Sequence, residues 1–335
     1  MKRILQNSLK LILPLLIGGG IIWYLYKGQN FEEMKQVLDS GIEWKWIFLS
    51  LLFAILSHVV RAIRWRMQFK ALGYEPTVNE LSNAVFGNYG INLIFPRLGE
   101  VWRCNFMAKR YKIPFTTVLG TMVSERLLDV MCIGLITLVT FGIEHKVFLA
   151  FFRDHPTLAD SLDRILLSPW VIGGAALTLF LTFYFRKKIF GLSIFKKFAG
   201  LGQKLWEGVK TIQVMKHKWT FIFLTFGIWM LYFLNFYVCL YAFEFSKEVG
   251  LIGGLTMFVM GSLGIIVPVQ GGTGPWHFMI ISTMLLYGIG QTEASTFALF
   301  VHAIQQGFII LLGLYAMMAI LLGDRLRKIV QPTVK

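Results

Sequence analysis

Apolar residues run through this chain in long blocks, separated by short polar stretches whose charge is mostly positive. Six blocks approach or exceed the ~20 residues that a bilayer-crossing helix needs. They are Lys10–Tyr26, Trp46–Trp65, Phe115–Ile143, Pro169–Phe185, Thr220–Phe243 and Ala294–Leu322. Two more apolar stretches, Leu81–Phe95 and Leu251–Val267, run straight into proline and glycine. The first continues as Pro96-Arg97-Leu98-Gly99-Glu100, the second as Pro268-Val269-Gln270-Gly271-Gly272-Thr273-Gly274. Such breaks predict helices that turn back on themselves, with Pro96, Gly99 and Pro268 at the turns.

The cations fix an expected orientation through the positive-inside rule. Lys2, Arg3 and Lys10 place the N-terminus in the cytoplasm. Arg61, Arg64, Arg66 and Lys70 are read as cations following the second span, and Lys109, Arg110 and Lys112 precede the third. Both ends of the first broken segment then lie on the cytoplasmic side, so it is expected to be a re-entrant hairpin. Arg186–Lys218 holds nine Lys or Arg and one acid and is also expected inside. Its residues Phe195, Phe198, Leu201, Leu205, Val209 and Ile212 recur at helical spacing, which predicts an amphipathic surface helix. Between Val249 and Gly323 the one formal charge is Glu293, so the second hairpin is expected to dip in from outside. Arg325, Arg327 and Lys328 return the C-terminus to the cytoplasm.

The two halves align. At an offset of 172, Asn92 to Gly99 falls on Gly264 to Gly271, pairing Pro96 with Pro268, and Asn105-Phe-Met falls on His277-Phe-Met. After a four-residue shift Tyr111 falls on Tyr287, Arg126 on His302 and Asp129 on Gln305. The expected fold is an all-α polytopic membrane protein of two inverted repeats, each of three transmembrane helices plus one re-entrant hairpin. Residues 1–143 form the first repeat, 144–168 an external loop, and 169–185 with 219–323 the second repeat. Residues 186–218 are the linker. Inverted repeats with matching Gly/Pro breaks point to a transporter's substrate site.

Composition agrees with a bilayer as solvent. Of 335 residues, 56% are hydrophobic and only 15% charged, against the ~25% of soluble domains. The mean hydropathy is +0.63. The net charge of +15 sits between apolar spans, which fits anionic lipid rather than nucleic acid. Cys104, Cys132 and Cys239 are too scattered for a disulfide framework or a zinc site, and no metal or other cofactor is expected. The basic start and first apolar run imitate a secretory signal. No cleavage site follows, and Trp23, Tyr24 and Tyr26 suit a membrane interface, so a retained span is expected.

Charges inside spans cost about 2.5–3.5 kcal/mol each on insertion scales, so they mark the candidate site. Glu125, Arg126 and Asp129 share one face of the third span. Arg97, Glu100 and Arg103 flank the first break. Three cations and three acids can be a salt-bridge network that pins hairpin to helix. Three guanidiniums also suit bidentate phosphate binding. Gly271, Gly272 and Gly274 can bring backbone N–H groups to an anion or form a tight turn. His58, His277 and His302 are lone imidazoles, candidates either for proton coupling or for hydrogen-bonded packing. Asn235 is read as helix–helix glue. There is no phosphate-binding G-x-x-x-x-G-K-[ST] loop and no hydrolase or zinc-protease motif, so no catalytic residue is assigned.

Asn92-x3-Pro96-Arg97-x-Gly99-Glu100, then Glu125-Arg126-x2-Asp129, then Pro268-x2-Gly271-Gly272-x-Gly274 resemble the flippase-like family known from the transmembrane region of lysylphosphatidylglycerol synthases. The similarity runs through nearly the whole chain. It implies movement of anionic or aminoacylated lipid, or of lipid-linked precursors, with aminoacyl transfer left to a separate soluble domain. Pro96, Arg97, Gly99, Glu100, Glu125, Arg126 and Asp129 match the family pattern. Gln270 stands where the family often has proline and His277 where an acid often follows, which implies a different headgroup.

The leading expectation is therefore a lipid transporter of the plasma membrane, not itself an enzyme. Its partners are anionic phospholipids or polyprenyl-phosphate-linked lipids, with a lipid-modifying enzyme as candidate protein partner. Arg97 and Arg126 would hold the phosphate, and Glu100, Glu125 and Asp129 would neutralise them between cycles. An integral-membrane transferase with a lipid donor, or a non-transporting subunit of a lipid-modifying enzyme, are the other readings.

Overall fold

A computed structural model describes residues 2–94, 98–157, 160, 206–207 and 210–330; of 2–13, 93–94 and 324–330 only the backbone is described. The described residues hold helices and no strand. The helices are α1 (Lys2–Tyr26), α2 (Phe31–Asp39), α3 (Trp44–Ala71), α4 (Val78–Ile94), α5 (Leu98–Tyr111) and α6 (Phe115–Asp154). After the undescribed stretch come α7 (Lys218–Leu240), α8 (Gly250–Gly264), α9 (Pro275–Leu286) and α10 (Gln291–Val330). Short 3-10 turns occupy Glu244–Val249 and Gln270–Gly272.

Among the described residues, α3, α6, α7 and the Gln291–Gly323 part of α10 are long and apolar enough to cross a membrane. They contain four of the six expected spans. The apolar part of α1, Pro14–Tyr26, is shorter. The expected span 169–185, most of the linker 186–218, and Pro96 and Arg97 lie outside the described residues. Outward-facing side chains such as Leu127, Val130, Met131 and Leu138 on α6, and Phe223 and Met230 on α7, are more than half exposed. A continuous apolar exterior of this kind needs lipid around it.

Local chemistry sets the helix ends. At the start of α4, Thr77 and Glu80 cap reciprocally: the Glu80 amide donates to Thr77 Oγ1 (3.2 Å) and the Thr77 amide to Glu80 Oε2 (3.1 Å). At the start of α2, Asn30 Oδ1 accepts from the Glu32 amide. Helix α6 is 40 residues long, with non-helical backbone at Glu144, one residue past the expected end of the third span. The expected external loop therefore begins as helix. Phe148 and Phe151 in it are buried against Val259 and Met260 of α8, because those aromatics gain more from packing than from exposure.

Both broken segments are helical hairpins. In the first, the Gly99 amide of α5 donates to Asn92 Oδ1 of α4 (2.8 Å), and Gly87 of α4 lies against the Trp102 ring. Gly99 sits in α5 rather than at the turn. A Cβ there would lie 2.0 Å from the Asn88 carbonyl oxygen, so the residue is needed for close helix approach. In the second, Gly264 of α8 lies against Pro275 of α9 and Gly253 against Tyr287. Helix α3 packs on α7, α4 on α10 and α6 on α8. One apolar core joins the second hairpin to α1, α3, α7 and α10, and another joins the first hairpin to α3 and α6.

Candidate functional site

Helix α3 turns a polar stripe inward. Ser57, His58, Arg61, Arg64 and Gln68, three or four residues apart along one face, are all buried. The arginines of this stripe meet the acids of α6. Arg64, fully buried, donates to Asp129 Oδ1 (2.9 Å) and Thr225 Oγ1 (2.8 Å), and its Nη2 lies 3.5 Å from Glu125 Oε1. Arg61 donates to Asp129 Oδ2 (3.0 Å) and, through Nε and Nη2, to the Tyr232 hydroxyl (3.3 and 3.0 Å). Gln68 donates to Ser124 Oγ (2.6 Å) and anchors the lower end of the stripe to α6.

The first hairpin joins the same network. Arg103 donates to Glu125 Oε2 (2.6 Å) and lies 4.5 Å over the Trp65 ring. Arg126 approaches Asp129 Oδ2 at 2.9 Å, while its Nη1 stands 3.6 Å from Glu100 Oε1, beyond hydrogen-bond range. The network thus contains Arg61, Arg64, Arg103 and Arg126 against Glu100, Glu125 and Asp129. Four cations minus three acids leave one net positive charge. A buried ion costs several kcal/mol of desolvation, which only multiple partners offset. Here Asp129 has three guanidiniums and Glu125 has two.

Two sequence expectations change. Arg61 and Arg64, read as loop cations, are 3% and 0% exposed and form the centre of the network. The acids of α6 outcompete water for them. Arg103, expected beside the break, is 1% exposed and braces α5 against α6. Spacing held the signal for the first correction: two arginines three apart, inside an apolar block, share a helix face with His58 and Gln68.

Above the network lies a cavity of about 360 Å³, within the usual range for ligand pockets. Its lining includes the charged Arg61, Arg126 and Asp129 and the neutral polar Asn235, Ser262, Gln305 and Gln306. Aromatic rings, among them Tyr89, Trp229, Tyr232 and Trp276, close it laterally. Arg126 has a 38% exposed side chain. Arg103 and Glu125 do not line the cavity. Tyr89, Trp229, Tyr232 and Gln306 were not singled out from sequence; neutral residues inside an apolar helix carry no distinguishing pattern.

His58 lines the cavity with its ring 4.4 Å from that of Tyr89. His277 and His302 instead serve the glycine turn. His277 Nδ1 accepts from the Gly274 amide (3.3 Å), and His302 Nε2 lies 3.0 Å from the Gly271 carbonyl oxygen. Gly271, Gly272 and Gly274 all have positive φ, at 59°, 73° and 95°. The Gly272 and Thr273 amides donate within the turn, to Val269 and Gln270. Pro268, exposed, lies between α8 and that turn. Asn235 donates to the Ser50 carbonyl (2.7 Å), tying α7 to α3.

These features define a multi-pass helical membrane protein in which packed helices and a buried ionic network enclose a cavity with two arginines and one aspartate in its lining. The chain matches the family described as the lysylphosphatidylglycerol synthase TM region over residues 11–313, and it belongs to that family. Among curated proteins, it is 30% identical to the UPF0104 membrane protein MJ1595 of Methanocaldococcus jannaschii over 143 residues. That alignment covers 42% of this chain and 41% of that protein. It is 32% identical to the glycosyltransferase AglD of Haloferax volcanii over 91 residues, 27% of this chain and 15% of that protein. The matched stretches thus span less than half of either relative. No solved structure matches.

Proposed function

We propose that the protein moves an anionic, phosphate-bearing lipid or lipid-linked precursor between membrane leaflets. The observation that carries this reading is Arg126: a guanidinium on the cavity wall, 38% exposed, whose Nη1 has no hydrogen bond among the described residues. The net positive charge of the network behind it favours an anion, and a phosphate matches the fork of a guanidinium. Arg97, outside the described residues, is the proposed second phosphate ligand.

The reading includes the inverted repeat, with α3 to α6 corresponding to α7 to α10. Packing of α3 on α7, and of α4 on α10 as α8 on α6, supports a twofold relation. The hairpins are the proposed gates, and His58, on the cavity wall, is the proposed proton-coupling residue. We place the protein in the plasma membrane with both termini cytoplasmic.

The test is transfer between leaflets of proteoliposomes. Wild-type protein should speed the transfer of a labelled phosphatidic acid over protein-free liposomes. It should leave unchanged that of a labelled galactosyl-diacylglycerol of equal tail length, whose polar but phosphate-free headgroup crosses slowly by itself. Arg126→Gln should slow phosphatidic acid transfer by about tenfold or more, the worth of one charged hydrogen bond. Equal movement of both lipids, or an unaffected variant, refutes the reading. The match to a glycosyltransferase favours a second reading, an integral-membrane transferase. That one requires product from the purified protein given only lipid donor and acceptor.

A further inference from the structure

The neutral polar side chains Asn235, Ser262, Gln305 and Gln306 of the cavity share one chemistry: each is tied to the protein through only part of its hydrogen-bonding capacity. Gln306 Nε2 donates to the Gly271 carbonyl (3.3 Å), and Gln305 Nε2 is directed to Cys239 Sγ (3.8 Å). Asn235 Nδ2 donates to the Ser50 carbonyl, and Ser262 Oγ to the Phe258 carbonyl (2.8 Å). What remains is the second N–H of Asn235 and of Gln305, the unpaired Trp229 indole N–H, and the acceptors: the amide oxygens of Asn235, Gln305 and Gln306 and the lone pairs of Ser262 Oγ. None of these oxygens has a protein hydrogen-bond donor among the described residues.

A ligand group beside these side chains is best satisfied by being donor and acceptor at once, which a hydroxyl is and an ammonium is not. The charged lining also disfavours ammonium. Its one carboxylate on the cavity, Asp129, is already shared by Arg61, Arg64 and Arg126, and the network as a whole is cationic. A cation placed here meets repulsion with no free acid to offset it. Hydroxyls meet acceptors at no electrostatic cost, and the flat faces of Trp229 and Trp276 suit the C–H side of a ring.

Building on the proposed function, we infer that the cavity selects a lipid whose phosphate bears a polyhydroxylated, uncharged headgroup, such as a sugar or an inositol, and rejects an aminoacylated one. Phosphate sits at Arg126, and hydroxyls exchange hydrogen bonds with Asn235, Ser262, Gln305 and Gln306 of the same cavity. The departures at Gln270 and His277 from the related pattern do not enter the selection, because neither side chain lines the cavity.

The experiment measures binding of four lipids to the full-length protein in nanodiscs by native mass spectrometry. They are phosphatidylinositol, a polyprenyl-phosphate hexose, phosphatidic acid and lysyl-phosphatidylglycerol, each at equal fraction. At least one of the first two should outcompete phosphatidic acid by about threefold to tenfold per engaged acceptor, the range of one net hydrogen bond. Which of the two wins separates an acyl from a prenyl lipid. Lysyl-phosphatidylglycerol should bind least. Gln305→Met and Ser262→Ala should each shrink the preference of the hydroxylated lipid over phosphatidic acid. Gln306→Met tests the same contact but also loosens the Gly271 turn, so the first two variants carry the result. Phosphatidic acid or the lysylated lipid binding as well as both hydroxylated lipids, with no change in ratio in Gln305→Met and Ser262→Ala, overturns the headgroup inference alone. Arg126→Gln leaving phosphatidic acid binding unchanged overturns the phosphate reading beneath it, and this inference with it.

Discussion

Replacing Asp129 with asparagine removes the carboxylate that Arg61, Arg64 and Arg126 share at 2.9–3.0 Å. Two of those arginines are 3% and 0% exposed, so neither water nor a rotamer change can take over the lost partner. At an effective dielectric constant of 20, two unit charges 4 Å apart attract by about 4 kcal/mol. Breaking a buried pair from one side typically costs about 3–5 kcal/mol. Asp129→Asn should therefore lose about 3–5 kcal/mol in equilibrium unfolding from mixed detergent micelles. Arg126→Gln behaves differently, because Asp129 keeps its two buried arginines and Arg126 is 38% exposed to screening. Its loss should stay at or below about 1 kcal/mol, as for exposed pairs. Removing a cation and the acid together, in Arg61→Met with Asp129→Asn, should cost less than the two single losses combined, by about 1 kcal/mol or more. Asp129→Asn being no more destabilising than Arg126→Gln would refute the separation of a structural core from a ligand-facing arginine.

Other perturbations test the rest of the framework. Burial pushes the Glu80 carboxyl up, but hydrogen bonds from Tyr111 and the Thr77 amide and the Arg110 guanidinium outweigh it and hold the pKa at about 2. A lowered pKa stabilises the fold above the unfolded value near 4.5 and loses that contribution as pH falls towards 2. Glu80→Gln should then unfold more easily than wild type at pH 7, and the gap should narrow below pH 5. Gly274→Ala forces a Cβ to within 2.8 Å of the Gly18 carbonyl oxygen of α1 at φ +95°. It should cost about 1–2 kcal/mol or more, read as increased proteolysis of the α1–α9 contact. Cysteines introduced at Gln29 and Lys247 should react with an impermeant thiol reagent in intact cells, whereas those at Gln6 and Gln331 should not; the reverse pattern refutes the orientation.

Long apolar blocks made α3, α6, α7 and α10 legible, because length and hydropathy suffice to identify a spanning helix. The proline and glycine breaks marked where α4 gives way to α5 and α8 to α9. The candidate charges Glu100, Arg103, Glu125, Arg126 and Asp129 are five of the seven members of the ionic network. Arg61 and Arg64 were misplaced because the positive-inside rule counts cations by position along the chain and cannot see that acids on another helix claim them. Arg103 was placed at the break by sequence distance alone, yet one turn of helix carries it away from the cavity and onto Glu125. Helix α2 and the continuation of α6 past Glu144 were missed because both lie outside any spanning block. Their stability comes from caps and from packing of residues such as Met34, Phe148 and Phe151.

The proposed repeat also accounts for the mixture of charged and neutral groups in the cavity. The second offset places Arg126 with His302 and Asp129 with Gln305. In the first half these positions belong to the ion network; in the second, His302 serves the glycine turn and Gln305 lines the cavity. If the repeat and the proposed function hold, the loss of charge from the second half has a consequence. Within one cavity a phosphate would have its place at Arg126, and an uncharged substituent would have its place at the neutral side chains. The headgroup would then be held in one orientation.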